Sequence, residues 1–77
     1  MSLLKYLDRA KRIDDLIRRK ATGNAQEFAH KLGISRSVLM EHLGDLRELG
    51  APIRFSNIVR SYYYENEFDL ISRLPTK

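Results

Sequence analysis

Seventy-seven residues, 43% apolar and 31% charged, are enough for one small globular domain with a modest core, a size at which oligomerisation is a common source of extra stability. The chain has no Cys, which excludes a disulfide framework and a Cys-based metal site, and no apolar run approaches the roughly 18 residues of a membrane-spanning helix. The N-terminus lacks the apolar block of a signal peptide, so the expected location is the cytoplasm, and the net charge of +4 points to an anionic partner.

That charge is unevenly spread. Residues 1–20 hold seven Lys or Arg against three Asp, a net of +4. Residues 21–50 hold three bases against four acids, net −1, and residues 51–77 hold four against three, net +1.

In chain order, Leu3, Tyr6, Leu7, Ala10, Ile13 and Ile17 fall on one face of a helix expected over about 3–20. Its other face carries Lys5, Asp8, Arg9, Lys11, Arg12, Asp15, Arg18 and Arg19. Bases and acids are mixed there rather than segregated, which argues against a membrane-surface helix. Leu3, Leu4 and Leu7 exceed what the small core needs and are the expected surface of a homodimer. Ala21-Thr22-Gly23 is a short connection that could add a strand residue or two to a later hairpin.

The stretch 24–50 reads as two helices joined by a tight turn. Asn24 is an N-cap, and Glu27, three residues on, completes a capping box. Phe28, Ala29 and Leu32 then fall at helical spacing, Gly33 supplies the positive φ that ends the helix, and Ile34 anchors the turn. Ser35 caps the second helix, with Val38, Leu39, His42, Leu43, Leu46 and Leu49 on one side and Gly50 and Pro52 as its stop. Gly44 is a mid-helix weakness of about 1 kcal/mol relative to Ala. It is either tolerated at the surface or kept for close approach to a partner.

Ile53-Arg54-Phe55-Ser56 and Ser61-Tyr62-Tyr63-Tyr64 are strand-like and joined by Asn57-Ile58-Val59-Arg60, so a hairpin is expected over about 53–65. Strand alternation puts Ile53 and Phe55 on the helices and Arg54 outward, with Tyr62 and Tyr64 on one face and Tyr63 on the other. The tyrosine run reads first as the large amphipathic side chains of a small sheet, ahead of base stacking. In the segment 66–77, Phe68, Leu70, Ile71 and Leu74 are expected to fold back on the core.

No catalytic signature accompanies these elements. His30 and His42 are on different helices without a neighbouring ligand set, so neither reads as a zinc ligand, and His42 reads as semi-buried. Phosphate loops, nucleophile elbows and dinucleotide fingerprints are missing. The expectation is a non-enzyme with no cofactor, no metal and no evident small-molecule effector.

A small residue, a glycine four later and an aliphatic six after that (Ala29, Gly33, Leu39) match the pattern of helix-turn-helix DNA-binding proteins. The wider segment Gln26-Glu27-Phe28-Ala29-His30-Lys31-Leu32-Gly33-Ile34-Ser35-Arg36-Ser37 resembles the Glu-Leu-Ala-x-x-Leu-Gly-Val-Ser-Arg-Arg segment of bacterial winged helix-turn-helix regulators of the DeoR and WYL type. Leu46-Arg47-Glu48-Leu49-Gly50-Ala51-Pro52-Ile53 likewise resembles their Leu-Arg-Glu-Ala-Gly-Val-Pro-Ile. The resemblance covers residues 12 to about 64 and implies a mainly α fold of three helices plus a β-hairpin wing.

It further implies a transcriptional regulator of double-stranded DNA, with the helix after Ser35 in the major groove. The implied DNA-binding residues are Ser35, Arg36, Ser37, Met40, Glu41, Gly44 and Arg47 on that helix and Arg54 and Arg60 on the wing. The chain departs from the family at Glu41, where an Arg is frequent, and at Val38 and Met40, where a Thr and an aromatic are. The alternative is a winged helix used for protein interaction or dimerisation, its acidic helix turned to a protein.

Overall fold

The first helix, α1 (Leu3–Arg18), buries Ala10, Ile13 and Ile17 along one stripe. The structure, a computed structural model, describes residues 3–73, excepting the side chains of Leu3, Leu4 and Tyr6. The expected dimer contacts of Leu3 and Leu4, and the expected packing of Tyr6 and Leu74, therefore lie outside the described residues; Leu7 is half-buried. The helix ends two residues short of the expected boundary near residue 20. Lys20 takes a left-handed φ of 54°, and the Ala21 N–H donates back to the Leu16 carbonyl at 3.0 Å. That backbone wrap normally falls to glycine.

The helix-turn-helix forms as its caps dictate. In α2 (Ala25–Leu32) the Asn24 side chain accepts from the Glu27 N–H and the Glu27 carboxylate accepts from the Asn24 N–H, both at 2.8 Å. Gly33, at φ 71°, turns the chain while the Ile34 N–H donates to the Ala29 carbonyl at 3.1 Å. Ser35 then accepts from the Val38 N–H at 3.1 Å and opens α3 (Arg36–Glu48). Gly50, at φ 102°, closes that helix. Phe28, Leu39 and Leu43 are fully buried with Ile13 and Ile17, so the three helices share one core.

Strands β1 (Ile53–Ser56) and β2 (Ser61–Tyr64) pair antiparallel, with Ile53 opposite Tyr64 and Ser56 opposite Ser61. Three helices followed by this hairpin make the winged helix-turn-helix arrangement that the sequence led us to expect. Two details differ. The connection 21–23 adds no strand, because Thr22 meets β2 through side chains: its N–H donates to Ser61 Oγ at 3.1 Å and its Oγ1 accepts from the Tyr62 N–H at 2.9 Å. Phe55, expected against the helices, is 39% exposed. It lies edge-on to Tyr62, which itself covers Phe28, so the inner face is already filled.

A short further helix, α4 (Leu70–Arg73), follows the hairpin, started by Asp69 accepting from the Ile71 N–H at 3.1 Å and from Ser72 Oγ at 2.8 Å. This turn buries Leu70 beside Phe68 and rotates Ile71 outward, against the expectation that Ile71 joins the core. Arg73 stacks over Phe68 and donates to the Leu49 carbonyl at 3.3 Å, supplying a partner for the C-terminal end of α3. The hairpin is tied to α1 by Asp14, which accepts from Tyr64 Oη at 2.6 Å and from Arg18 Nε at 2.9 Å. Burial, and then this carboxylate, push the Tyr64 hydroxyl far above its usual pKa. The phenol is thus held as a donor.

Candidate nucleic-acid interface

Helix α3 buries Leu39, His42, Leu43 and Leu46. At 3.6 residues per turn the opposite ridge is Ser37, Glu41, Gly44 and Glu48. Arg36, Met40 and Arg47 fall together along one edge and Asp45 along the other. Of the nine residues expected to meet DNA, Ser35, Arg36, Ser37, Met40, Glu41, Arg47, Arg54 and Arg60 are exposed and Gly44 is half-buried. A Cβ added at Gly44 would meet nothing within 4 Å, so the space over that turn is open.

Their electrostatic states differ more than the sequence suggests. Arg47 Nη2 donates to the Ile53 carbonyl at 3.4 Å, which puts the basic edge of α3 on the side of β1. Arg54 pairs with Glu65 at 3.4 Å across the hairpin, an exposed pair with little net effect on stability. Arg36 and Arg60 make no ion pair among the described residues. Ser35 has its oxygen engaged as an acceptor by the helix cap, which leaves its hydroxyl proton to donate.

In the strongly basic first segment, two of the seven bases, Arg18 and Arg19, are held by carboxylates. Arg18 pairs with Asp14 at 2.9 Å and Arg19 with Asp15 at 2.6 Å, one turn apart. Arg12 Nη2 donates to the Lys31 carbonyl at 3.4 Å, and Arg9 Nη1 stands 3.4 Å from His42 Nε2. The +4 of residues 1–20 is counted after their three Asp, so these contacts direct Arg9, Arg12, Arg18 and Arg19 without cancelling it. His42, 7% exposed, is the junction between α1 and α3. Burial lowers its pKa, the Arg9 charge lowers it further, and Asp45 and Glu41 act weakly in the other direction.

Sequence reasoning passed over the tip of the hairpin, where Ile58 is 93% and Val59 49% exposed. The available signal was two aliphatics in a four-residue turn, where no strand register can direct them to the core. A groove between the end of α1 and α4 is lined by Arg18, Tyr64, Phe68, Asp69 and Arg73, among others. Three of its polar side chains are already engaged: Arg18 with the Phe68 carbonyl, Asp69 with Ser72 and Arg73 with the Leu49 carbonyl. No group of three or more metal-ligating side chains occurs among the described residues, and no described helix is long and apolar enough to cross a membrane.

No family model, curated protein or solved structure matches the chain. The functional reading therefore rests on the geometry of α3 and the hairpin.

Proposed function

We propose that the protein binds double-stranded DNA as a transcriptional regulator in the cytoplasm, of the kind its sequence resembles in the DeoR and WYL type regulators, and not as an enzyme. The observation that carries this reading is the exposed N-terminal half of α3. Ser35, Arg36, Ser37 and Met40 are presented at the surface, with Arg36 unpaired, on a helix whose other side is anchored in the core. In this reading the N-terminal side chains of α3 approach base edges in the major groove while Arg36, Arg54 and Arg60 meet phosphates. A palindromic site needs two such helices about 34 Å apart, so we also propose a homodimer through the start of α1 (Leu3, Leu4, Leu7).

One observation favours the second reading, a protein-interaction module. The outermost ridge of α3 carries Glu41 and Glu48, both exposed, and carboxylates repel phosphate. Glu41 separates the two readings. On DNA, Glu41→Gln raises affinity for random duplexes and relaxes any preference for cytosine by about 1–3 kcal/mol. Arg36→Ala weakens binding to all duplexes if it grips phosphate, and mainly to a selected site if it reads guanine. Titration of both variants on random and selected duplexes at one salt concentration checks this. Unchanged binding in both would mean that α3 does not meet DNA.

A further inference from the structure

We propose that a second copy of the chain pairs with the outer edge of β1, strand to strand and antiparallel, about a two-fold axis at Phe55. The contact is separate from the proposed α1 dimer and does not depend on the DNA-binding reading.

The hydrogen-bond register fixes which groups of β1 face away from β2. The Glu65 N–H donates to the Pro52 carbonyl at 2.8 Å, one place beyond the pair of Ile53 and Tyr64. Antiparallel pairs alternate between bonded and unbonded, so Arg54 with Tyr63 and Ser56 with Ser61 are the bonded pairs. The N–H and C=O groups of Ile53 and Phe55 therefore point outward. Three further bonds agree with this assignment. On the far edge of β2 the Tyr62 N–H donates to Thr22 Oγ1 at 2.9 Å. On the outer edge of β1 the Ile53 N–H donates to the Ala51 carbonyl at 3.0 Å, and the Ile53 carbonyl accepts from Arg47 Nη2 at 3.4 Å. The edge is thus closed at Ile53. At Phe55 neither the N–H nor the carbonyl has a partner among the described residues.

That opening selects its occupant. An extended peptide adding to a sheet needs a run of open groups, and here the run is one residue long. A two-fold antiparallel pair centred on that residue uses it completely, each Phe55 N–H donating to the partner's Phe55 carbonyl. The same register sets Arg54 opposite the partner's Ser56, so no like charges are opposed and Arg54 keeps Glu65. It also sets the two Phe55 rings on one face, with their Cα atoms about 5.5 Å apart. Phe55 is 39% exposed and lies edge-on to Tyr62, so pairing carries the aromatic row of Phe28, Tyr62 and Phe55 across the axis and covers the exposed ring. The hairpin tip, with its exposed Ile58 and Val59, comes alongside the partner's Pro52. Two short strands and two rings fall below the roughly 800 Å² per partner of an ordinary interface, so the association is weak.

The test is sedimentation equilibrium of the full chain without DNA, from about 10 µM to about 1 mM, where weak interfaces assemble. The wild-type mass should rise with concentration. Phe55→Lys and Phe55→Glu each put like charges on the axis and should weaken that association by about ten-fold or more. A one-to-one mixture of the two variants opposes unlike charges there and should restore it, which also shows that both variants fold. Any association through α1 is the same in all four samples, so their differences read β1 alone. A wild-type mass that does not change with concentration, variants that associate like wild type, or a mixture no heavier than its components would each overturn the pairing. None of these outcomes bears on DNA binding, which the duplex titrations of Glu41→Gln and Arg36→Ala read separately.

Discussion

At the residue scale, His42 couples stability to pH. It is the buried imidazole between α1 and α3, facing Arg9 from α1 and Asp45 and Glu41 from its own helix. Burial first and Arg9 second keep its folded pKa below the ordinary 6.5, so the unfolded chain takes up a proton that the folded one resists. Its stabilising effect is complete above the unfolded pKa and is lost as pH falls through 6.5 toward the folded value, with a slope of at most about 1.4 kcal/mol per pH unit. Urea denaturation at pH 7.5, 6.5 and 5.5 should show wild-type protein losing stability that His42→Gln retains. Parallel curves for the two proteins would contradict this.

At the scale of elements, the turns set the helix lengths, and their cost is measurable. The Asn24 cap is exposed and bonded reciprocally to Glu27, so Asn24→Ala should lose about 1 kcal/mol. Gly33→Ala should lose about as much for another reason: its Cβ would meet nothing within 4 Å, and the loss comes from φ 71°. Lys20 holds a comparable φ of 54° without being glycine, so Lys20→Gly should gain up to about 1 kcal/mol. Denaturation midpoints at constant m-value check all three, and a neutral Gly33→Ala would contradict the assignment.

These elements also mark what the sequence could disclose. Asn24, Glu27, Gly33, Ser35 and Gly50 act through local backbone chemistry, so both helices of the helix-turn-helix were legible from spacing alone. The hairpin was legible because two strand-like runs flank a four-residue turn. The outward turn of Phe55, the exposure of Ile71 and the side-chain docking of Thr22 on Ser61 were not. Each depends on which residue fills a place first across long sequence separations, as Tyr62 does over Phe28. Helical and strand periodicity disclosed the outward placement of Arg36, Ser37, Met40, Glu41, Arg47 and Arg54, while the choice of the nine expected contact residues came from the resemblance. The engagement of Arg47 by Ile53 and of Arg54 by Glu65 required the fold.

At the scale of the molecule, the decisive feature is where unpaired positive charge remains. The i,i+4 pairs of α1 hold two arginines while Lys11 and Lys20 make no ion pair among the described residues, α3 shows carboxylates outward, and the hairpin with the start of α3 keeps Arg36 and Arg60 available. In the proposed DNA-binding reading, the duplex would meet Arg36, Arg60 and, once released from Glu65, Arg54. Three phosphate contacts per subunit give a dependence of log K on log salt with a slope of about −2.7. Titration of a labelled random duplex from low to moderate salt measures that slope directly. Binding at low salt with a slope near −2.7, reduced by about one in Arg60→Ala, is the predicted result; no binding at low salt, or a slope that Arg36→Ala, Arg54→Ala and Arg60→Ala all leave unchanged, would contradict it.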